Sequence, residues 1–472
     1  MLKGWWDRSI GGARRSSYDP VPTDRAADYE PFAEGSELLE DQSDGLAHGT
    51  SYFSWIDYWI ILWMGVYMLW AWNMFLAAGV YFQQRFSSND WTESNFQSSI
   101  LTVYCLTNFA GSYLLARLQD RDAYSRRIYL SLILNLAVFT LLSFSTVLFT
   151  DVSAVTYFVF VMLMCFSTGT ATALVQNGLF SYIGGFHQPR YIQGIMTGHS
   201  VAGVLPCIVQ IISVLTLHAG DGDGDDADGA PQLGQSPQSA FTFFITATVV
   251  SAIALVLFHH LHRKAEALSL RKEIEIEIED AAGADLTEKV PLKVLFHKLK
   301  WLSLAVALDF AITMFLPIYT NVIQSVHSHD DNNNNNNNLP PYLRQAAFVP
   351  LALLFWNGGD LLGRVFPVYP RLNIGDRPFT LFLASVARVL FIPIYISCNI
   401  RNRGAWISSD IFYLVIVQFL FGLSNGYIAG STMMAANDWV EPHEREAAGG
   451  FMSMMLVAGL TAGSVFTFFV VV

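Results

Sequence analysis

From residue 54 to the last residue, long apolar stretches alternate with short polar segments. A helix that crosses a bilayer needs roughly 20 apolar residues. About eleven stretches qualify, near 54–84, 97–116, 128–150, 154–184, 190–217, 240–261, 301–325, 346–368, 379–398, 410–434 and 448–472. Several exceed the minimum, as tilted helices do. The fourth and fifth are joined only by the run from Gly185 to Arg190, which predicts a tight helical hairpin. The pattern therefore predicts an all-α polytopic membrane protein. Its parts are a polar tail over 1–53, a six-helix half over 54–261, a linker over 262–300 and a five-helix half over 301–472.

Composition agrees. Only 14% of the 472 residues are charged, against about 25% for a soluble domain. The net charge of -12 falls largely in the tail and one loop, so it reads as local solvation. No basic patch with interleaved aromatics is present, so nucleic acid is not an expected partner; the lipid bilayer is. The four cysteines show no metal-ligand spacing and read as small core residues, with no metal site and no cofactor expected.

Lysine and arginine set the orientation. With the N-terminus in the cytosol, the cytosolic segments collect Arg14, Arg15, Arg117, Arg126, Arg127, Arg263, Lys264, Lys298 and Lys300, among others. The opposite side holds only Arg85, Arg344, Arg401 and Arg403. No cleavable signal peptide is expected, so the first span serves as the insertion signal. Two loops on the far side are low-complexity, one acidic (Asp221 to Asp228) and one an asparagine run (Asn332 to Asn338), and both read as solvated loops. The cytosolic run from Arg271 to Asp280 alternates like a strand but has no partner to pair with, so it is assigned to the linker.

Charges inside the apolar stretches change the picture. Asp360 and Arg364 are four residues apart, on one face of a helix. A charge at bilayer depth costs about 2.5–3.5 kcal/mol on insertion scales, so it marks a partner, a bundle interior or a polar path. Trp72, Asn73, Gln176, Asn177, Asp309, Asn357 and Arg388 add polar groups from several other spans. Such convergence suits a mostly apolar pocket that orients a small polar ligand. Each position also has a plainer reading: Asp360–Arg364 as a structural ion pair, Gln176 as an interhelical hydrogen bond, Asp309 as a partner of Arg388 or of backbone. A lone histidine such as His199 reads as a satisfied core residue. No HExxH, GxSxG or Walker A pattern occurs, so no enzyme is expected. A carrier is favoured over a non-transporting receptor or structural membrane protein.

These same residues carry a resemblance. Trp72-Asn73-Met74-Phe75-Leu76-Ala77-Ala78, Gln176-Asn177-Gly178-Leu179-Phe180 and Ile195 to Gly203 resemble signatures of the equilibrative nucleoside transporter family. So do Asn357, Asp360, Gly363 and Arg364 in the pattern Asn-x-x-Asp-x-x-Gly-Arg, the run Arg388 to Pro393 with Cys398-Asn399, and Asn425-Gly426-Tyr427 followed by Pro442, Glu444 and Glu446 to Gly449. The resemblance covers almost all of the membrane domain. The chain departs from the family pattern at Ala71, Trp356 and His199.

The resemblance implies eleven helices in a 6+5 bundle, similar to the major facilitator architecture. It implies facilitated diffusion of nucleosides, with nucleobases as further candidates, by alternating access. A sugar or other small polar solute is the alternative cargo. In the implied site Trp72 lines the pocket, Gln176 meets the base, and Asp360 and Arg364 meet the ribose, with Asn73 and Asn357 as further substrate-binding candidates. A carboxylate accepts two hydroxyl donors and a guanidinium offers a planar fork, which suits those roles.

The tail contains Tyr29-Glu30-Pro31-Phe32 and Glu34-Gly35-Ser36-Glu37-Leu38-Leu39. Both resemble sorting signals read by clathrin adaptors. They make Tyr29, Phe32, Glu34, Leu38 and Leu39 candidate address residues and set a vacuolar or endolysosomal membrane beside the plasma membrane. In an acidic lumen, Asp309 and Asp360 become candidate proton sites.

Overall fold

The computed structural model describes residues 53–470, apart from 120–122, 150–151, 187, 221–236, 280–288, 315–318, 321, 330–339 and 402. The sorting-like motifs, the acidic loop and the asparagine run lie outside the described residues.

The described residues form helices joined by short connections. In chain order they are α1 (Trp55–Ala77), α2 (Gly79–Phe86), α3 (Asp90–Arg117), α4 (Ala123–Leu148), α5 (Ala154–Gly184), α6 (Pro189–Gly220), α7 (Pro237–Glu279), α8 (Leu292–Thr313), α9 (Gln345–Val365), α10 (Pro378–Ala387), α11 (Phe391–Ile396), α12 (Leu420–Ala435) and α13 (Arg445–Val470). Nine helical segments among the described residues are long and apolar enough to cross a membrane. Two more helices of span length, α8 with 22 residues and α9 with 21, are not among the nine. They stand where the seventh and eighth spans are expected, and they carry Asp309, Asp360 and Arg364. Polar and charged residues lower their apolar signal; Asp309, Asp360 and Arg364 among them are buried in the bundle, as a charge at bilayer depth requires. Elsewhere the bundle turns apolar side chains outward, as at Leu141, Phe144, Val256, Leu390 and Ile411, all exposed.

Local sequence explains the helix starts. Ser54, Asn89 and Ser153 cap α1, α3 and α5 by accepting from the backbone N–H three residues on, at 3.4, 3.0 and 3.3 Å. Glu441 and Glu444 form a capping box just before α13. The first expected span is not one helix: it breaks at Ala78, between α1 and α2, and not near Ala71. The segment assigned to the linker is largely helical. α7 continues to Glu279, and α8 begins at Leu292. Its Glu, Lys, Arg, Ala and Leu are good helix formers, and that propensity outweighs the strand-like alternation.

Helices α1 to α7 pack among themselves, as do α8 to α13; between the two sets, α6 meets α9 and α12, while α13 meets α3 and α5. Glycines set these approaches, as small residues do between membrane helices. A Cβ on Gly198 of α6 would lie 2.1 Å from the Leu62 carbonyl oxygen of α1, and one on Gly65 of α1 2.2 Å from that of Ile195. The α9–α12 contact is as close. A Cβ on Gly426 would lie 1.9 Å from the Asp360 carbonyl oxygen, and one on Gly363 2.3 Å from that of Leu423. The glycine of the Asn-x-x-Asp-x-x-Gly-Arg pattern is thus a backbone contact, which holds Asp360 hard against α12.

Candidate substrate site

Asp360 and Arg364 are both buried on α9. Arg364 Nε lies 2.9 Å from Asp360 Oδ2 as an ion pair, and Arg364 Nη2 donates a hydrogen bond to Asp360 Oδ1 at 3.4 Å. Arg364 Nη1 donates to the Met196 carbonyl of α6 at 2.7 Å. The Ser200 hydroxyl, one turn further along α6, donates to Asp360 Oδ2 at 2.5 Å. From α12, Asn425 Nδ2 donates to Asp360 Oδ1 at 2.6 Å. The carboxylate is therefore held from three sides by three hydrogen bonds, one of them from its paired cation. That is what a buried charge requires.

The network continues. The Thr313 hydroxyl of α8 donates to Asn425 Oδ1 at 2.6 Å and accepts from Arg388 Nη1 and Nη2, each at 3.2 Å. Arg388 pairs with Asp309 Oδ1 and also donates to the Asp309 carbonyl at 2.9 Å. Its guanidinium lies over the Phe421 ring, 4.3 Å from the centroid. Two buried ion pairs, Asp360–Arg364 and Asp309–Arg388, are thus joined through Asn425 and Thr313. Of the readings open for Asp309, pairing with Arg388 is the one observed.

A second cluster lies among α1, α3 and α5. Trp72 stacks on Tyr104 with centroids 4.4 Å apart and planes at 26°. Tyr104 donates to Thr172 at 3.2 Å, and one helical turn on, Asn108 donates to Gln176 Oε1 at 3.2 Å. Trp72, Tyr104, Asn108 and Gln176 form a neutral aromatic and amide group with no charge in it.

Two expected site residues are engaged by protein. Asn73 donates to the Ala202 carbonyl at 2.7 Å, tying α1 to α6. Asn357 donates to its own helix at Leu353, 2.9 Å away, and its Oδ1 lies 2.2 Å from where a Cβ on Gly203 would stand. Asn177, next to Gln176, accepts from Arg127 at 2.6 Å. Arg127 also donates to the Leu118 carbonyl just past the end of α3.

Sequence reasoning did not single out Ser200, Thr313, Asn425, Tyr104 or Asn108 as site residues. Asn425 left a signal, an amide within the Asn425-Gly426-Tyr427 run of a mostly apolar span. A serine or a threonine in a membrane helix leaves little, since its hydroxyl can bond its own helix backbone, and a tyrosine reads as an aromatic core residue.

The order of polar residues along the helices is that of a known family. The nucleoside transporter family matches residues 161–472, more than half of the sequence. The chain belongs to the nucleoside transporter family. It is 28% identical over 442 residues to the nucleoside transporter FUN26 of Saccharomyces cerevisiae, covering 86% of this chain and 82% of that one. It is 24% identical over 468 residues to equilibrative nucleoside transporter 1 of Homo sapiens, covering 87% and 96%. Among solved structures it is similar to FucP, a major facilitator superfamily transporter in the outward conformation. The TM-score is 0.49 with 12% identity, over 87% of this chain and 91% of that one. This protein is a multi-pass integral membrane transporter of nucleosides, not an enzyme.

Proposed function

We propose that the transporter carries nucleosides down their gradient by alternating access, with the ribose held at Asp360 and Arg364 and the base near Trp72 and Gln176. The observation that carries this reading is the carboxylate of Asp360, buried between α6, α9 and α12 and already gripped by Ser200 and Asn425. Two sugar hydroxyls can donate to such a carboxylate, and the Arg364 fork can donate to their oxygens. The neutral cluster supplies an aromatic face at Trp72 and an amide at Gln176, which suit a base plane and a base edge. Asn73 and Asn357 act in this scheme by fixing α1 and α9 against α6.

Uptake of radiolabelled uridine and adenosine into proteoliposomes tests the reading, at equal reconstituted amounts of wild type, Asp360→Asn and Arg364→Ala. Saturable uptake by wild type that falls roughly 10- to 150-fold in both folded variants supports it, since a hydrogen bond to a charged group contributes about 1.5–3 kcal/mol. Undiminished uptake in either variant rejects that residue as a ribose contact.

A proton link is the second reading. Asp309 Oδ2 is buried and has no hydrogen-bond partner among the described residues, which leaves one carboxylate oxygen able to take a proton. Uptake compared at acidic and neutral pH, in wild type and Asp309→Asn, decides it. A pH dependence that survives Asp309→Asn removes Asp309 from the role. The cytosolic N-terminus, the vacuolar or endolysosomal address and the adaptor contact rest on charge asymmetry and the two tail motifs. Alanine substitution of Leu38 and Leu39, with the tagged protein imaged in cells, tests the address. An unchanged distribution rejects it.

A further inference from the structure

His199 was expected to be a satisfied core histidine. It is buried, with 6% of its surface exposed, yet its Nε2 has no hydrogen-bond partner among the described residues. A buried polar atom left unpaired costs about 1–3 kcal/mol, so it persists only where something else compensates or where function uses it.

Its position on α6 is informative. Met196, Ser200, Gly203 and Cys207 face α9, through the Arg364, Asp360 and Asn357 contacts. Ile195, Gly198 and Ala202 face α1. At ~100° per residue, His199 falls between these two stripes, roughly 70° from the centre of each. The exposed apolar residues Leu205, Ile208, Val209 and Ile212 centre on the far side of the helix, roughly 130° round. His199 therefore points into the bundle between α1 and α9, beside the Asp360 cluster and away from lipid. Its backbone is fixed, because Gly198 lets α6 touch α1 at the residue before it. Ser200, the residue after it, grips Asp360. A second buried orphan, Trp356 Nε1, lies one turn from Asp360 on α9. Two residues with unpaired buried atoms thus stand next to positions that make the Asp360 contact, His199 beside Ser200 on α6 and Trp356 one turn before Asp360 on α9.

We infer that His199 is a specificity-determining residue whose Nε2 hydrogen-bonds a sugar hydroxyl of the bound nucleoside. The inference rests on the ribose lying at Asp360. A hydroxyl both donates and accepts, so it satisfies Nε2 in either imidazole tautomer. The consequence is discrimination: a nucleoside lacking that hydroxyl leaves Nε2 unpaired and is carried less well.

The test is competition of uridine uptake by 2′-, 3′- and 5′-deoxyuridine, in wild type, His199→Gln, His199→Asn and His199→Leu. Folding is checked by size-exclusion profile and melting. Glutamine can place an amide nitrogen where Nε2 stands; asparagine reaches only as far as Nδ1. Wild type and His199→Gln should prefer uridine over one of the three analogues by about 10-fold, and His199→Asn and His199→Leu should lose that preference. If His199→Leu does not fold, the glutamine and asparagine variants decide alone. An unchanged analogue profile in the folded asparagine variant overturns the inference while the proposed function stands. Wild type that carries no uridine overturns both.

Discussion

The two polar clusters are built on opposite principles. The one among α1, α3 and α5 is neutral and made of short local chains: Trp72 on Tyr104 and Tyr104 on Thr172, Ser112 on Asn108 and Asn108 on Gln176. The one among α6, α8, α9 and α12 is charged and continuous, running from Arg364 through Asp360, Asn425 and Thr313 to Arg388 and Asp309. Amides and aromatic rings tolerate burial with one or two neutral partners each. A buried carboxylate does not, because desolvation of the ion must be offset by several donors at once. The charged half of the site therefore recruits a wide network, and the neutral half does not.

Substitutions can break this contrast. The largest effect is expected from Arg388→Leu, which strands Asp309 in the bundle. Removing one partner of a buried pair costs about 3–5 kcal/mol, and melting in detergent should show a large loss that Asp309→Asn in the same chain partly restores. If Arg388→Leu melts with the wild type, the pair is not what holds α8 to α10 and α12. Asn425→Leu comes next. It takes a donor from Asp360 and an acceptor from Thr313, for about 1–3 kcal/mol. Uridine uptake should fall while the protein still folds, and Asn425→Asp should not rescue it, since it sets a second carboxylate against the first. Gln176→Leu should be mildest. Loss of one neutral hydrogen bond to the base is worth about 0.5–1.5 kcal/mol, so KM for uridine should rise a few-fold with Vmax nearly unchanged. A Gln176→Leu effect as large as that of Asn425→Leu would erase the distinction between the clusters.

Some features were legible before any coordinates. Asp360 and Arg364 announce themselves as charges at helical spacing in an apolar span, and they do pair. Arg388 and Asp309 were visible as charges, but their pairing was one of several readings. Trp72 and Gln176 stand in polar clusters. Asn73 and Asn357, alike in sequence, are engaged by backbone at Ala202 and Leu353. His199 reads in sequence like any buried histidine.

The sequence by itself determined a multi-pass helical bundle. Apolar length against the bilayer is a local property, and the cost of a charge in lipid makes each exception conspicuous. It also determined the family, because the signature residues lie in order along the chain. Tertiary structure alone decided which polar groups meet. Ser200, Thr313 and Asn425 lie far apart in sequence and converge on the two ion pairs only because helix backbones touch at glycines such as Gly363 and Gly426. Whether a buried polar atom is paired depends on what a neighbouring helix presents within about 3 Å. No local pattern encodes that distance, and so only the packed structure sets His199 apart.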